Sequence, residues 1–149
     1  MQIELKTAAM QCSQHYEKLG IVLLLLARIY PDQQVNTAYI NQVLFPAIQH
    51  NQLAILCDRD EIPVAFVIWY RLTTETLARV EENPHQPLHI SEWNEGNHLW
   101  LHNLYACPNS LVATTKYIKH QLFKGESQLY FKHKRQTRCI SLCNKEDLS

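Results

Sequence analysis

Spacing of apolar residues predicts two helices in the first fifty positions. The first, over residues 8–29, shows apolar and aromatic positions at three- and four-residue steps, as one buried helical face requires. These positions are Ala8, Cys12, His15, Leu19, Val22 and Leu26. Pro31 interrupts this pattern, and a four-residue spacing then predicts a second helix. Its apolar positions are Val35, Tyr39, Val43 and Ala47. We expect Pro46 to kink or stop that helix, because proline lacks the N–H that an α-helix needs.

Four later segments have the apolar, β-branched and aromatic character of strands. Residues 53–57 ("LAILC") and 63–70 ("PVAFVIWY") flank the polar turn "DRDE" and predict a buried hairpin. Residues 98–106 ("HLWLHNLYA") predict a central strand, and 127–134 ("SQLYFKHK") predict the last one.

Helices are predicted between these strands. Residues 73–87 begin as a capped helical turn and then become a loop. Residues 111–123 predict a longer helix, with Ser110 as its N-cap and Gly125 at its end. One face of that helix would carry Leu111, Thr115, Ile118 and Leu122.

This order of elements predicts an α+β fold with helices around a mixed or antiparallel sheet. We find no repeat and no linker, so we expect a single domain over residues 1–149, with 136–149 as a loose tail. The longest apolar run, residues 20–27, is too short to span a bilayer, so we expect no stable membrane insertion. It also lacks the features of a signal peptide. The five cysteines show no spacing typical of disulfide pairs, which fits a reducing compartment, so we expect a cytoplasmic protein.

The formal net charge is +0, so no global field attracts the chain to nucleic acid, and we expect no nucleic-acid partner. Charge is uneven, however. Residues 111–138 contain seven lysines or arginines and one acid, Glu126. A basic surface for an acidic macromolecule and an ordinary solvated helix face with a basic tail are both open interpretations.

Motifs for common cofactors are missing. The chain has three glycines and no glycine-rich phosphate loop, so we expect no nucleotide cofactor. Cys139 and Cys143 follow His133 at a spacing that signals zinc only weakly, and two plain thiols are the simpler interpretation, so we expect no metal.

Polar residues within the strand 98–106 are the candidates for chemistry. Alternation places His102 on one face with Trp100, and Asn103 on the other with Tyr105. A polar residue in such a strand must find a partner or act on something, and both interpretations stay open for His102 and Asn103. Cys107, just past the strand, is either a nucleophile or a small buried residue.

Several short motifs resemble the RTX toxin-activating lysine acyltransferases. They occur in the expected order and nearly constant spacing from about residue 19 to about 135. The matching segments are "LG" at 19–20, "FPAIQHNQ" at 45–52, "DRDEIPVAF" at 58–66, Trp69, the pattern Trp93, Gly96 and Trp100, and "KYIK" at 116–119.

The resemblance implies a fold similar to the GNAT acetyltransferases, in a three-layer sandwich, and a cytoplasmic enzyme. It implies transfer of a fatty acyl group from acyl carrier protein, without a cofactor, to internal lysines of an RTX protoxin. The missing glycine-rich loop and the basic C-terminal third agree with an acidic carrier protein as donor. Whether the protein is a homodimer stays open.

Both catalytic residue types of that family are replaced in this chain. Counted without a gap, the family's catalytic His falls on Asp32 and its catalytic Asp falls on Asn103. By resemblance, Asp32 would accept a proton and Asn103 would orient the amine or donate to the thioester oxygen. The alternative is a non-catalytic protein of the same fold that binds the toxin or the carrier protein.

Overall fold

The computed structural model describes residues 3–7 and 14–142. The described residues form the strands β1 (Lys6–Thr7), β2 (Leu53–Cys57), β3 (Pro63–Leu72), β4 (His98–Ala106), β5 (Gln128–His133) and β6 (Gln136–Ser141). They also form the helices α1 (His15–Ile29), α2 (Thr37–Tyr39), α3 (Phe45–Gln49), α4 (Thr74–Glu82) and α5 (Leu111–Tyr117). The strand order in the sheet is β1-β2-β3-β4-β5-β6. β4 pairs parallel with β5, whereas the pairs β1–β2, β2–β3 and β5–β6 are antiparallel. The predicted α+β class with a mixed sheet is confirmed.

Backbone contacts divide the chain into two compact units. The first unit comprises residues 1–69 and 103–114, and the second comprises 70–102 and 115–149. β3 and β4 each contribute residues to both units. The single domain expected over 1–149 stays a prediction.

The hairpin of the first unit is confirmed. β2 pairs antiparallel with β3 from Leu53, opposite Ile68, to Cys57, and every residue of β2 is buried. The carboxylate of Asp58 closes the polar turn by accepting hydrogen bonds from the backbone N–H groups of Asp60 (2.9 Å) and Ile62 (3.0 Å). The side chain of Asp58 thus stabilises a turn that lacks the Asn-Gly pair common in tight hairpins.

α1 buries one face, as the spacing predicts. Val22, Leu25 and Leu26 are buried at three- and four-residue steps. The predicted start of this helix falls on residues 8–13, which lie outside the described part of the chain. Within the described residues, no helix has the length and apolar character needed to cross a bilayer.

The second predicted helix contains a π-helical turn, Ile40–Leu44, between α2 and α3. Here the backbone N–H of Phe45 donates to the carbonyl of Ile40, one residue further back than in an α-helix. The chain stays helical through Pro46 to Gln49, so the expectation that Pro46 stops it is wrong.

The extra residue of this π-helical turn also changes which side chains are buried. Leu44, Ala47 and Ile48 are buried, whereas Val35 lies before α2 and is 40% exposed. The uniform four-residue spacing predicted for this helix is therefore wrong at Val35, because Asn36 caps α2 and Val35 lies before the helix begins.

In the second unit, the pattern Trp93, Gly96, Trp100 is a packing motif. Both indoles are buried, and Tyr70 contacts the Trp93 ring edge-on with ring centroids 4.5 Å apart. A Cβ added to Gly96 would lie 2.1 Å from the carbonyl oxygen of Leu72, so only glycine fits there.

α4 is longer than the single turn predicted for residues 73–87. It spans Thr74–Glu82, and the Thr73 side chain caps it by accepting from the backbone N–H of Thr76 at 3.2 Å. The following loop is fixed by an ion pair between Arg79 and Glu92.

The helix predicted over residues 111–123 is present as α5 followed by a second π-helical turn, Ile118–Leu122. Ser110 directly precedes α5, and its hydroxyl donates to the carbonyl of Cys107 (2.8 Å). Leu111 is 51% exposed, so the predicted buried face is also wrong at its first position. Gly125 has a φ of 92°, as a residue ending a helical segment requires.

The predicted loose tail is partly a strand. β6 pairs antiparallel with β5 along its whole length, from Gln136 opposite His133 to Ser141 opposite Gln128. Lys134 and Arg135 make the connecting turn with φ values of 47° and 66°. Such turns usually carry Asn or Gly, so the sequence contained no hairpin signal here. The rest of the predicted tail, residues 143–149, lies outside the described part of the chain.

Candidate active site

The first unit contains a cavity of about 220 Å³. Its walls come from the end of α1, the loop after it, α2 and β4. The lining residues are Leu26, Tyr30, Gln33, Gln34, Val35, Asn36, Tyr39 and Tyr105. All eight are uncharged types at neutral pH, so the cavity offers aromatic faces, hydroxyls and amides.

Local sequence chemistry positions these walls. The Asn36 side chain accepts a hydrogen bond from the backbone N–H of Ala38 at 2.8 Å and so starts α2, which carries Tyr39. Tyr105 is held from two sides, by Tyr30 edge-on at 5.9 Å and by Phe66 at 5.1 Å between ring centroids. The aromatic wall is therefore packed on the strands behind it.

Asn103 is bound directly to the cavity wall. The Tyr39 hydroxyl donates to its Oδ1 over 2.7 Å, and the hydroxyls of Tyr39 and Tyr105 are also hydrogen-bonded to each other. Asn103 and Tyr105 thus lie on the same face of β4, as the predicted alternation requires.

Tyr105 stays protonated at neutral pH because its pKa is raised. Burial raises the pKa of Tyr105, and the neighbouring Tyr30 raises it further, while the hydrogen bond to Tyr39 acts in the opposite direction. A phenol with a raised pKa is a hydrogen-bonding group at neutral pH and does not act as a base there.

Asp32 lies in the turn between α1 and α2 and is exposed. It is adjacent in sequence to the lining residues Gln33 and Gln34 but does not itself line the cavity. Neither Asp32 nor Asn103 lines the cavity; Asn103 is hydrogen-bonded to the lining residue Tyr39, and Asp32 is adjacent in sequence to Gln33. The catalytic role expected for each stays a prediction.

His102 belongs to a different environment, in the second unit. Its ring stacks on Tyr70 with centroids 4.6 Å apart, and Tyr70 in turn contacts Trp93. The pKa of His102 is lowered to about 4, chiefly by burial and also by the nearby His85. The imidazole is therefore neutral at physiological pH and has the packing of a structural residue.

Two of the candidate cysteines, Cys107 and Cys139, lie in the described part of the chain. Cys107 is half-buried, and Cys139 is exposed on β6. Cys143, the third member of the weak zinc pattern, lies outside the described residues. In residues 3–7 and 14–142, no three or more His, Cys, Asp or Glu side chains come together as metal ligands would.

Sequence reasoning missed the three tyrosines of the cavity. The spacing placed Tyr39 on a core face of a regular helix, and Tyr30 and Tyr105 had no motif around them. The only available signal was alternation in β4, which put Tyr105 beside Asn103.

Fold and cavity together define an α+β protein with an uncharged, tyrosine-rich site on its central strand. The chain matches the model of the HlyC family, described as the RTX toxin acyltransferase family, over residues 11–144. The chain belongs to this family.

Three relatives carry related names. An RTX-II toxin-activating lysine-acyltransferase of Actinobacillus pleuropneumoniae is 27% identical over 127 residues, covering 85% of this chain and 68% of the relative. An RTX-III toxin-activating lysine-acyltransferase of the same organism is 31% identical, covering 58% of this chain and 49% of the relative. A leukotoxin-activating lysine-acyltransferase of Aggregatibacter actinomycetemcomitans is 31% identical, covering 61% and 53% respectively. The chain thus aligns with about half the length of two of them.

One solved structure is also similar to this chain. It is a GNAT-family acetyltransferase from Listeria monocytogenes with a TM-score of 0.48 and 9% identity, and the similarity covers 87% of this chain and 75% of that one.

Proposed function

We propose that this protein is a lysine acyltransferase that moves a fatty acyl group from acyl carrier protein to internal lysines of an RTX protoxin. Family membership over residues 11–144 supports the reaction class, and the relatives' names support a toxin as acceptor. The single structural observation that carries the proposal is the 2.7 Å hydrogen bond from Tyr39 to Asn103. It ties the position that matches the family's catalytic Asp to the wall of a cavity.

The cavity suits one lysine side chain. Its volume of about 220 Å³ is below the roughly 300–1,000 Å³ typical of sites for drug-sized ligands. Leu26 and Val35 offer apolar contacts for a lysine stem, and the tyrosine rings offer faces for its ammonium. A long acyl chain would have to lie elsewhere, so we assign the cavity to the acceptor lysine.

An uncharged cavity also helps to free the amine. At neutral pH only roughly one lysine in 10³ is unprotonated, because its pKa is about 10.4. Removing the ammonium from water without pairing it with a carboxylate lowers that pKa. In this proposal Asp32, in the turn beside Gln33, accepts the released proton.

The transfer itself needs no cofactor. The amine nitrogen forms a bond to the thioester carbon, the carbon–sulfur bond breaks, and the nitrogen loses one proton. The departing carrier thiolate takes up a proton, so the products are an amide and a thiol. Asn103 would donate through its amide to the oxygen that becomes negative in the tetrahedral intermediate.

Exposed cations of the second unit support an acidic carrier protein as the donor. These residues, here called the basic surface, are Lys116, Lys119, Lys124, Lys134, Arg135 and Arg138. Lys132 is not part of it, because its ammonium donates to the carbonyl of Glu81. Glu126, the acid of this segment, is paired with Arg71 at 2.7 Å, which leaves the basic surface positive.

The test is intact-mass analysis of the RTX protoxin from the same organism, produced with and without this protein. We expect the mass to rise by whole fatty acyl groups only when the protein is present. Purified components then identify the donor, with acyl carrier protein and coenzyme A carrying the same acyl chain. An unchanged toxin mass in the presence of folded protein contradicts transferase activity, and equal rates with both donors contradict the carrier-specific part.

A second candidate function is binding without catalysis. It is favoured by the cavity lining, where the described residues include no Asp, Glu, His, Lys or Cys. In that case the protein would associate with the protoxin, and the complex would contain toxin of unmodified mass. Co-purification combined with the mass measurement separates the two functions.

A further inference from the structure

We propose that Tyr39 is a positioning residue that fixes the amide orientation of Asn103 through the hydrogen bond from its hydroxyl to Oδ1. This inference rests on the proposed function for its effect on rate. The orientation itself rests only on geometry.

The first step of the argument is the donor and acceptor inventory. A phenol has one proton, and Tyr39 directs it to Oδ1 of Asn103 over 2.7 Å. The Tyr39 hydroxyl is also hydrogen-bonded to the hydroxyl of Tyr105, and this bond lowers the pKa of Tyr105. The contact that bears on Asn103 is the one from Tyr39 to Oδ1.

The second step is what this does to the amide. Oxygen and nitrogen of an asparagine amide share one carbon, so fixing Oδ1 on Tyr39 also fixes the direction of Nδ2. The rotated amide would present two N–H groups to the Tyr39 hydroxyl and would lose the 2.7 Å hydrogen bond from that hydroxyl to Oδ1. Tyr39 thus makes Asn103 a hydrogen-bond donor of defined direction, which is what stabilisation of a thioester oxygen needs.

The third step is how the chain places Tyr39 there. Tyr39 ends α2 and directly precedes the π-helical turn Ile40–Leu44. π-Helical turns of this kind are frequent at functional sites, because the extra residue alters which side chains share a face. Leu44 and Ile48 are buried after the turn, while Tyr39 stays half-buried at the cavity.

The kinetic test is a double-mutant cycle with Tyr39→Phe and Asn103→Ala, scored by acyl-lysine formed on the protoxin with acylated carrier protein. We expect Tyr39→Phe to lower kcat about 2- to 10-fold, the usual effect of one neutral hydrogen bond, with KM little changed. In the Asn103→Ala background the same substitution should have no further effect. Equal losses in both backgrounds would mean that Tyr39 acts independently of Asn103, and would overturn the proposal.

The matched control is Tyr16→Phe. Tyr16 lies on α1, is 78% exposed and does not line the cavity, so loss of its hydroxyl should leave kcat unchanged. A decrease in kcat for Tyr16→Phe as large as for Tyr39→Phe would count against a specific role.

A second measurement does not depend on activity. In ¹H–¹⁵N spectra, the side-chain NH₂ signals of Asn103, identified by their loss in Asn103→Ala, should shift or broaden in Tyr39→Phe. Unchanged NH₂ signals in that variant would overturn the orienting role. If the wild-type protein transfers no acyl group, the proposed function fails, while these signals still decide whether Tyr39 orients Asn103.

Discussion

The buried His102 should make the stability of this protein depend on pH in a specific window. Its pKa is lowered from 6.5 to about 4, chiefly by burial. Above pH 6.5 the imidazole is neutral in both the folded and the unfolded chain, so it contributes no pH dependence. Below pH 6.5 the imidazole is protonated in the unfolded chain but still neutral in the folded chain. The free energy of unfolding therefore falls with pH until the folded pKa is reached.

The size of this effect follows from the two pKa values. A difference of one pH unit between folded and unfolded pKa corresponds to about 1.4 kcal/mol. For His102, the interval from 6.5 to about 4 gives a loss of roughly 3 kcal/mol by pH 4, and of about 2 kcal/mol by pH 5. That is a large share of the roughly 5–15 kcal/mol that stabilises a typical domain.

Urea unfolding of the wild type and of His102→Gln, at about pH 7.5 and about pH 5, measures this contribution. Other groups titrate in both proteins, so the difference between their pH-dependent losses isolates His102. We expect the wild type to lose about 2 kcal/mol more than the variant. His120→Gln is the matched control, because His120 is exposed on the second π-helical turn. Equal losses in wild type and His102→Gln, or an NMR titration of His102 near 6.5, would refute the reasoning.

Further predictions concern packing, donor binding and catalysis. Gly96→Ala should destabilise the protein by about 3 kcal/mol or more in urea unfolding, because the new Cβ meets the backbone of residue 72. Gly20→Ala, where a Cβ meets nothing within 4 Å, should instead stabilise the helix by up to about 1 kcal/mol. If carrier protein binds the basic surface, Lys119→Glu should weaken binding at low salt and lose its effect at high salt, measured by calorimetry. If Asp32 is the base, Asp32→Asn should lower acyl-lysine formation by about 10²–10⁴, and full yield would remove Asp32 from the mechanism. Asp32→His combined with Asn103→Asp should transfer at least as fast as the wild type, and a slower rate would contradict the alignment of these positions with the family pair.

The strands were predictable because burial leaves a direct mark on sequence. β2 is apolar at all five positions and buried at all five, so composition alone identified it. β4 was recognised from its apolar and aromatic residues, although only Leu99 and Trp100 are buried in it. Period-two alternation correctly placed Asn103 on the same face as Tyr105. A strand can be predicted from the sequence when its buried positions are occupied by apolar residues.

β6 and the π-helical turns were not predictable in this way. β6 depends on a turn in which Lys134 and Arg135 adopt positive φ, and neither residue type indicates such a conformation. The turn Ile40–Leu44 inserts one residue into a helix that the spacing treated as regular. In both cases the decisive information is a backbone conformation that is fixed by pairing or packing of the whole unit.

The same limit bears on the candidate site. The resemblance pointed to Asn103 through its position on a regular strand, which tolerates no slip without turning the side chain to the other face. It pointed to Asp32 through a turn, where a count of residues does not fix direction. Neither side chain lines the cavity, but Asn103 is hydrogen-bonded to the lining residue Tyr39, and both catalytic roles stay predictions. If the amine is freed mainly by desolvation in an uncharged cavity, the replacement of both titratable residue types in this chain is compatible with transfer. The base would then matter less than the orientation of the Asn103 amide, which stabilises the negative charge that develops on the thioester oxygen. The Tyr39–Asn103 pair is therefore a more informative target for mutation than Asp32 alone.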